Sequence, residues 1–176
     1  MTTRALRTVT LVLLAAVAGR AAAAGLTIGH WRLAATSDGR YTYAATANER
    51  GQIFGEFCSF TSKSCRWLLA VRTPCRFGDV YPVLANTAAG ANPIAIVCLG
   101  PVGGNIYGMV LMNRRRLLAS IAHAGAIDFV VPRSGGGFAV ARFRLAGGAR
   151  ASAWLRQFFG AQLERRRRIR RGESRL

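Results

Sequence analysis

The chain has 176 residues, 25 Lys plus Arg against 7 Asp plus Glu, a formal charge of +18 and 51% hydrophobic residues. That apolar fraction, which includes 9 Phe, 4 Tyr and 3 Trp, excludes a chain disordered throughout, and the length fits one modest domain with a real core. No motif specific to a single chemistry is present, so the residues speak first to setting and architecture.

Residues 1–24 have the organisation of a secretory signal peptide: Arg4 and Arg7, an apolar run over residues 8–18, and then Ala21-Ala22-Ala23-Ala24, the small residues a signal peptidase reads. As a helix the run would rise only about 16 Å, short of the roughly 30 Å of a hydrocarbon core, so cleavage after Ala24 is expected rather than membrane anchoring. No later segment is long and apolar enough to span a bilayer, and the expected location is periplasmic or secreted, in a bacterial setting. An oxidising compartment suits the four cysteines that follow, Cys58, Cys65, Cys75 and Cys98. Of the three possible connectivities the favoured one is Cys58–Cys65 with Cys75–Cys98, because a polar loop over residues 59–64 returns one strand beside another. The spacing contains no C-x-x-C and both histidines lie far from it in sequence, which argues against a zinc site. Neither metal nor cofactor is expected.

In chain order, residues 28–33 alternate as a strand, Ser37-Asp38-Gly39 is a turn, and a hairpin partner resumes at Tyr41. Residues 48–51 break the chain again. Residues 52–58 and 65–72 form a second hairpin, and Pro74, Gly78 and Pro82 mark an irregular connection. Residues 85–92 read as a loop or short helical turn, 93–98 as a strand, and 100–104 as a break. Residues 106–112 are a strand. A helix follows over 114–124, with Asn113 placed to cap its first turn and His123 closing it. Residues 126–131 and 138–145 are strands of a hairpin. Ala151, Trp154, Leu155, Phe158 and Phe159 then fall at helical spacing over 150–159. The fold class is mainly β within α+β: a small antiparallel β-sandwich or barrel-like domain over residues 25–159, with two helices in its C-terminal half and a disordered or helical basic tail over 160–176.

Several of these segments resemble the invasion-associated locus B family of bacterial exported proteins. The matching runs are Leu117-Leu118-Ala119-Ser120-Ile121, Ile127-Asp128-Phe129-Val130-Val131 and residues 143–151, and Gly29-His30-Trp31 is similar to the family's early Gly-Asp-Trp, with His30 in the acidic position. The resemblance implies an exported, disulfide-bearing β-sandwich with a non-enzymatic role at the cell envelope or in host contact, and it brings no catalytic residues.

Candidates for chemistry are few. Glu56, Asp79, Asp128, His30 and His123 are the acids and bases able to converge, but Glu56 fits a surface ion pair with Arg66 or Arg72, Asp128 alternates outward, and no nucleophile elbow is present. An enzyme is therefore the lesser expectation, either way a hydrolase whose site the sequence does not display. The arginines are unevenly placed. Arg165, Arg166, Arg167, Arg168, Arg170 and Arg171 crowd residues 160–176, where seven arginines face two glutamates. Such a run attracts anionic lipid or polysaccharide surfaces, and nucleic acid only non-specifically. A second run, Arg114-Arg115-Arg116, opens a helix, where cations oppose the dipole and hint at a binding surface. Trp154, Phe158 and Phe159 offer a membrane-surface helix as a lesser alternative to core packing. The function expected is binding of an anionic surface or an envelope protein, with an envelope assembly subunit as a further alternative.

Overall fold

The computed structural model describes residues 25–172; the expected signal peptide and the last four residues lie outside this range. Ten strands form one antiparallel sheet: β1 (Leu26–Ile28), β2 (Trp31–Ala35), β3 (Tyr41–Ala47), β4 (Ile53–Ser59), β5 (Ser64–Val71), β6 (Val80–Thr87), β7 (Gly90–Gly103), β8 (Ile106–Leu111), β9 (Ala126–Pro132) and β10 (Phe138–Arg144). Their spatial order is β1-β2-β3-β4-β5-β8-β7-β6-β9-β10. Among the described residues two helices, α1 (Arg114–Ile121) and α2 (Gly148–Arg170), complete a mainly β domain with its helices in the C-terminal half.

Inward residues of β4 explain how this long sheet curls. Phe54, fully buried, meets Trp31 of β2 at 5.8 Å between ring centroids, Trp67 of β5 at 5.1 Å, Phe129 of β9 at 4.9 Å and Phe143 of β10 at 5.7 Å. One ring thus touches strands from both ends of the sheet, which is possible only if the sheet rolls on itself. The ends meet where the β1–β2 turn abuts the β10–α2 junction, and the His30 backbone N–H donates to the Ala146 carbonyl at 3.1 Å. Gly29 and Gly147 make that approach possible. Both have positive φ, and a Cβ on either would stand 2.3 Å from a backbone oxygen across the seam, that of Ala146 or Ile28.

Two disulfides tie the strands. Cys58–Cys65 joins directly opposed residues of β4 and β5, and Cys75–Cys98 pins the β5–β6 connection to β7. This second link sits where the chain leaves β5 and skips two strand positions before β6.

Several expectations are corrected. Residues 28–33 are not one strand: Gly29 and His30 turn between β1 and β2, since the seam requires a left-handed residue there. Residues 85–92 are not a loop but the tip of the β6–β7 hairpin, paired from Ala85 with Asn92 to Thr87 with Gly90; only Ala85 of the stretch is buried. Pro82 lies within β6, opposite Ala95, and β7 runs on through the glycines to Gly103 by way of two register shifts. Asn113 makes no side-chain cap to α1, which ends at Ile121, so His123 lies beyond it. α2 continues past Phe159 to Arg170, so residues 160–170 take the helical of the two forms expected for the tail.

The seam generates a prediction. Gly147→Ala is expected to destabilise the oxidised protein by at least about 2 kcal/mol, combining positive-φ strain with overlap against backbone. Gly39→Ala, at a turn glycine with open space around its Cβ position, is expected to cost only about 1 kcal/mol. Urea denaturation of the two variants measures the difference; equal losses would show that the close approach at Gly147 contributes nothing.

Candidate anion-binding surface

α2 is held to the sheet by one face. Gly148 packs against the Trp31 indole, Ala151, Ser152, Leu155 and Phe159 are buried, and the helix lies against β1–β4. The apolar stripe is therefore spent on the core, and the membrane-surface alternative keeps only Trp154, 41% exposed, stacked on half-buried Phe158 at 5.2 Å.

Glu56 fixes the register of this packing. It is fully buried on the same face of β4 as Phe54 and Cys58, and its two carboxylate oxygens each accept from Arg156 Nε at 3.0 Å. Arg156 Nη2 lies 3.0 Å from Oε2, and Arg114 Nη2 approaches Oε1 at 3.8 Å. This corrects the surface pair expected with Arg66 or Arg72. The alternation of β4 turns Glu56 inward, opposite those arginines, and its partners come from α1 and α2, far off in sequence. It also explains Arg114 at the start of α1: the buried carboxylate offsets a cation facing the wrong end of the helix dipole. Arg115 and Arg116 are exposed.

Beyond Gly160 the helix keeps Leu163 against the core and stays anchored at its outer turns. Phe60, in the β4–β5 turn, packs on Phe159 at 5.0 Å between centroids, and the Arg166 guanidinium lies 4.0 Å over the Phe60 ring. Arg165, Arg166, Arg167, Arg168, Arg170 and Arg171 are all exposed on the last turns, where the helix dipole favours cations. Among the described residues their only ion-pair partner is Glu164, 2.9 Å from Arg167. Six guanidinium groups thus lie within about two turns at the end of the helix, with one carboxylate, that of Glu164, just before them.

The other candidates stand apart. His30 is exposed at the β1–β2 turn, and His123 is exposed after α1. Asp79 is exposed in the β5–β6 connection, beside Tyr81, whose hydroxyl pKa is raised by burial and by that carboxylate. Asp128, on β9, accepts two hydrogen bonds from Arg142 of β10, at 2.7 and 2.6 Å, which raise the guanidinium's pKa. Among the described residues no three His, Cys, Asp or Glu side chains group as metal ligands, and no helix is long and apolar enough to cross a membrane.

No family model and no curated protein matches the sequence. A structural likeness exists. The chain superposes on invasion associated protein B from Bartonella henselae with a TM-score of 0.55 at 12% identity, covering 77% of this chain and 98% of that one. At that identity the likeness establishes the fold alone, and at this level the resemblance read from the sequence holds.

The Glu56 site predicts an asymmetry. Arg156→Ala strands a buried carboxylate with one distant cation and is expected to cost about 3 kcal/mol, whereas Glu56→Gln releases a partly exposed arginine to water and is expected to cost about 1 kcal/mol. Thermal and urea unfolding of both variants test this, and the reverse order would mean that the carboxylate is not held by the pair.

Proposed function

We propose that the protein is exported and works as a non-enzymatic binding domain at the cell envelope, attaching to an anionic surface through the arginine run of α2. The observation that carries this reading is the set of six exposed arginines on an anchored helix end, matched by a single glutamate among the described residues. The two disulfides favour an oxidising compartment, and residues 1–24 have the pattern of an export signal. The fold it has in common with a protein named for invasion favours a place at host contact.

The test is vesicle co-sedimentation of the full mature chain. With anionic phosphatidylglycerol vesicles, replacing the six arginines by Gln is expected to weaken binding by about 100-fold or more, taking roughly 1 kcal/mol per basic residue near a charged surface and allowing for incomplete contact. Binding of the parent chain should fall with added salt and be absent on neutral phosphatidylcholine. Unchanged retention after the substitutions would overturn the reading.

A second reading, an envelope assembly subunit, draws on the outer face of β6, β9 and β10. Leu84, Val130 and Val140 lie side by side across the three strands there, with Leu84 and Val140 exposed. A protein partner bound there would leave vesicle binding untouched by substitution of Val140.

A further inference from the structure

A second basic feature lies at the other end of the molecule. Where the rolled sheet brings β10 against β3, two clefts of about 710 and 600 Å³ open between the β3–β4 turn and the β9–β10 hairpin. They share Arg50 and Val140 and so form one elongated groove. Arg50 and Arg72 stand on one bank and Arg133 and Arg144 on the other, all exposed and none with an ion-pair partner among the described residues. Arg142 also borders the groove, but Asp128 already engages it. Among the described residues Glu49 is the one acidic residue that lines it.

The groove is built of more than charge. Gln52 and Thr73, 5% and 4% exposed, line it as buried polar side chains, and the Gln52 carbonyl is held by Asn48 Nδ2 at 2.7 Å. Asn48 also receives the backbone N–H groups of Arg50 and Gln52 at 3.0 Å each, so the turn that carries Arg50 is fixed. Val140, Ala139 and Pro74 add apolar surface between the guanidinium groups. The site is remote from the α2 run: it adjoins the β3–β4 turn, whereas Arg166 rests on the β4–β5 turn at the far end of β4, a strand about 20 Å long.

We infer that this groove is a second anion-binding site, independent of α2, and that it takes a linear sulfated polysaccharide. Opposed banks of free guanidinium groups suit anionic esters projecting from both sides of an extended chain, since planar donor forks engage such oxygens in pairs. Buried amide and hydroxyl groups suit sugar hydroxyls, and the apolar patches suit the C–H faces of sugar rings. A flat membrane surface reaches the rims of a concave groove and leaves its floor empty, so the shape favours a chain over a bilayer.

The experiment uses the full mature chain with disulfides intact and a heparin dodecasaccharide as probe, read by isothermal titration calorimetry. In a background where the six α2 arginines are Gln, binding is expected to persist within about 10-fold of the parent, and adding Arg50→Gln, Arg72→Gln, Arg133→Gln and Arg144→Gln is expected to weaken it about 30-fold or more. Loss of all binding in the α2 background, or no change on adding the groove substitutions, overturns the inference. Failure of the α2 substitutions to affect vesicle binding strikes only the proposed function, so the two are separable. A measurement on the unsubstituted chain guards against misfolded variants: phenylglyoxal modification followed by mass spectrometry. Heparin is expected to slow modification of Arg50, Arg72, Arg133 and Arg144 while Arg40, in the β2–β3 turn, reacts at its free rate. Equal rates with and without heparin at the four groove arginines overturn the inference as well.

Discussion

The contact of Phe54 with aromatic rings from β2, β5, β9 and β10 is the constraint from which the architecture follows. A flat ten-stranded sheet would leave these rings on one wide apolar face. Rolling it brings them into a single cluster, and the twist natural to antiparallel strands supplies the curvature. Closure then demands a place where two backbones pass at van der Waals distance, and Gly29 and Gly147 provide it. The same closure fixes where α2 begins, because Gly147 and Gly148 join the seam directly to the helix.

A helix that starts at the seam and lies against β1–β4 needs something to set its rotation. Hydrophobic packing of Ala151, Leu155 and Phe159 is tolerant of small slips, whereas the Glu56–Arg156 pair is not: a buried carboxylate strongly disfavours any arrangement that leaves it without its guanidinium. Once that rotation is set, the residues past Gly160 run on along the β4–β5 turn, braced by Leu163 against the core and by Phe60. Core packing and surface charge are therefore coupled along one helix, with the apolar stripe ending where the arginine run begins. The opposite pole of the barrel owes its basic groove to the same rolling, which brings the β3–β4 turn and the β9–β10 hairpin face to face.

Much of this was legible in the residues. Turn chemistry at Ser37-Asp38-Gly39 located the β2–β3 hairpin, the break read at residues 48–51 is the β3–β4 turn, and the Pro- and Gly-rich separator over 132–137 located the β9–β10 hairpin. Local signals failed where the determining contact is distant. Gly29 reads as one residue of an alternating strand because its partner, Ala146, is more than a hundred positions away. Residues 85–92 read as a loop because small residues and asparagines carry little strand preference, yet pairing on both edges of β6 overrides that preference. Glu56 reads as a surface acid since nothing nearby in the chain announces Arg156. The groove arginines, Arg50, Arg72, Arg133 and Arg144, come from three separate turns and a strand and form no run, so no local pattern singles them out.

The sequence by itself determined the apolar content that requires a core, the even set of cysteines, the predominance of strands with helices late in the chain, and the arginine run that makes one end of the molecule basic. These are matters of composition and short-range periodicity, which need no knowledge of what lies opposite. The tertiary structure alone decided that the sheet rolls until its ends meet, that Glu56 is an internal anchor rather than a surface acid, and that dispersed arginines gather on two banks of one groove. Each of those depends on contacts between residues far apart in the chain, and such contacts are set by the global minimum of burial and pairing, not by any stretch of residues on its own.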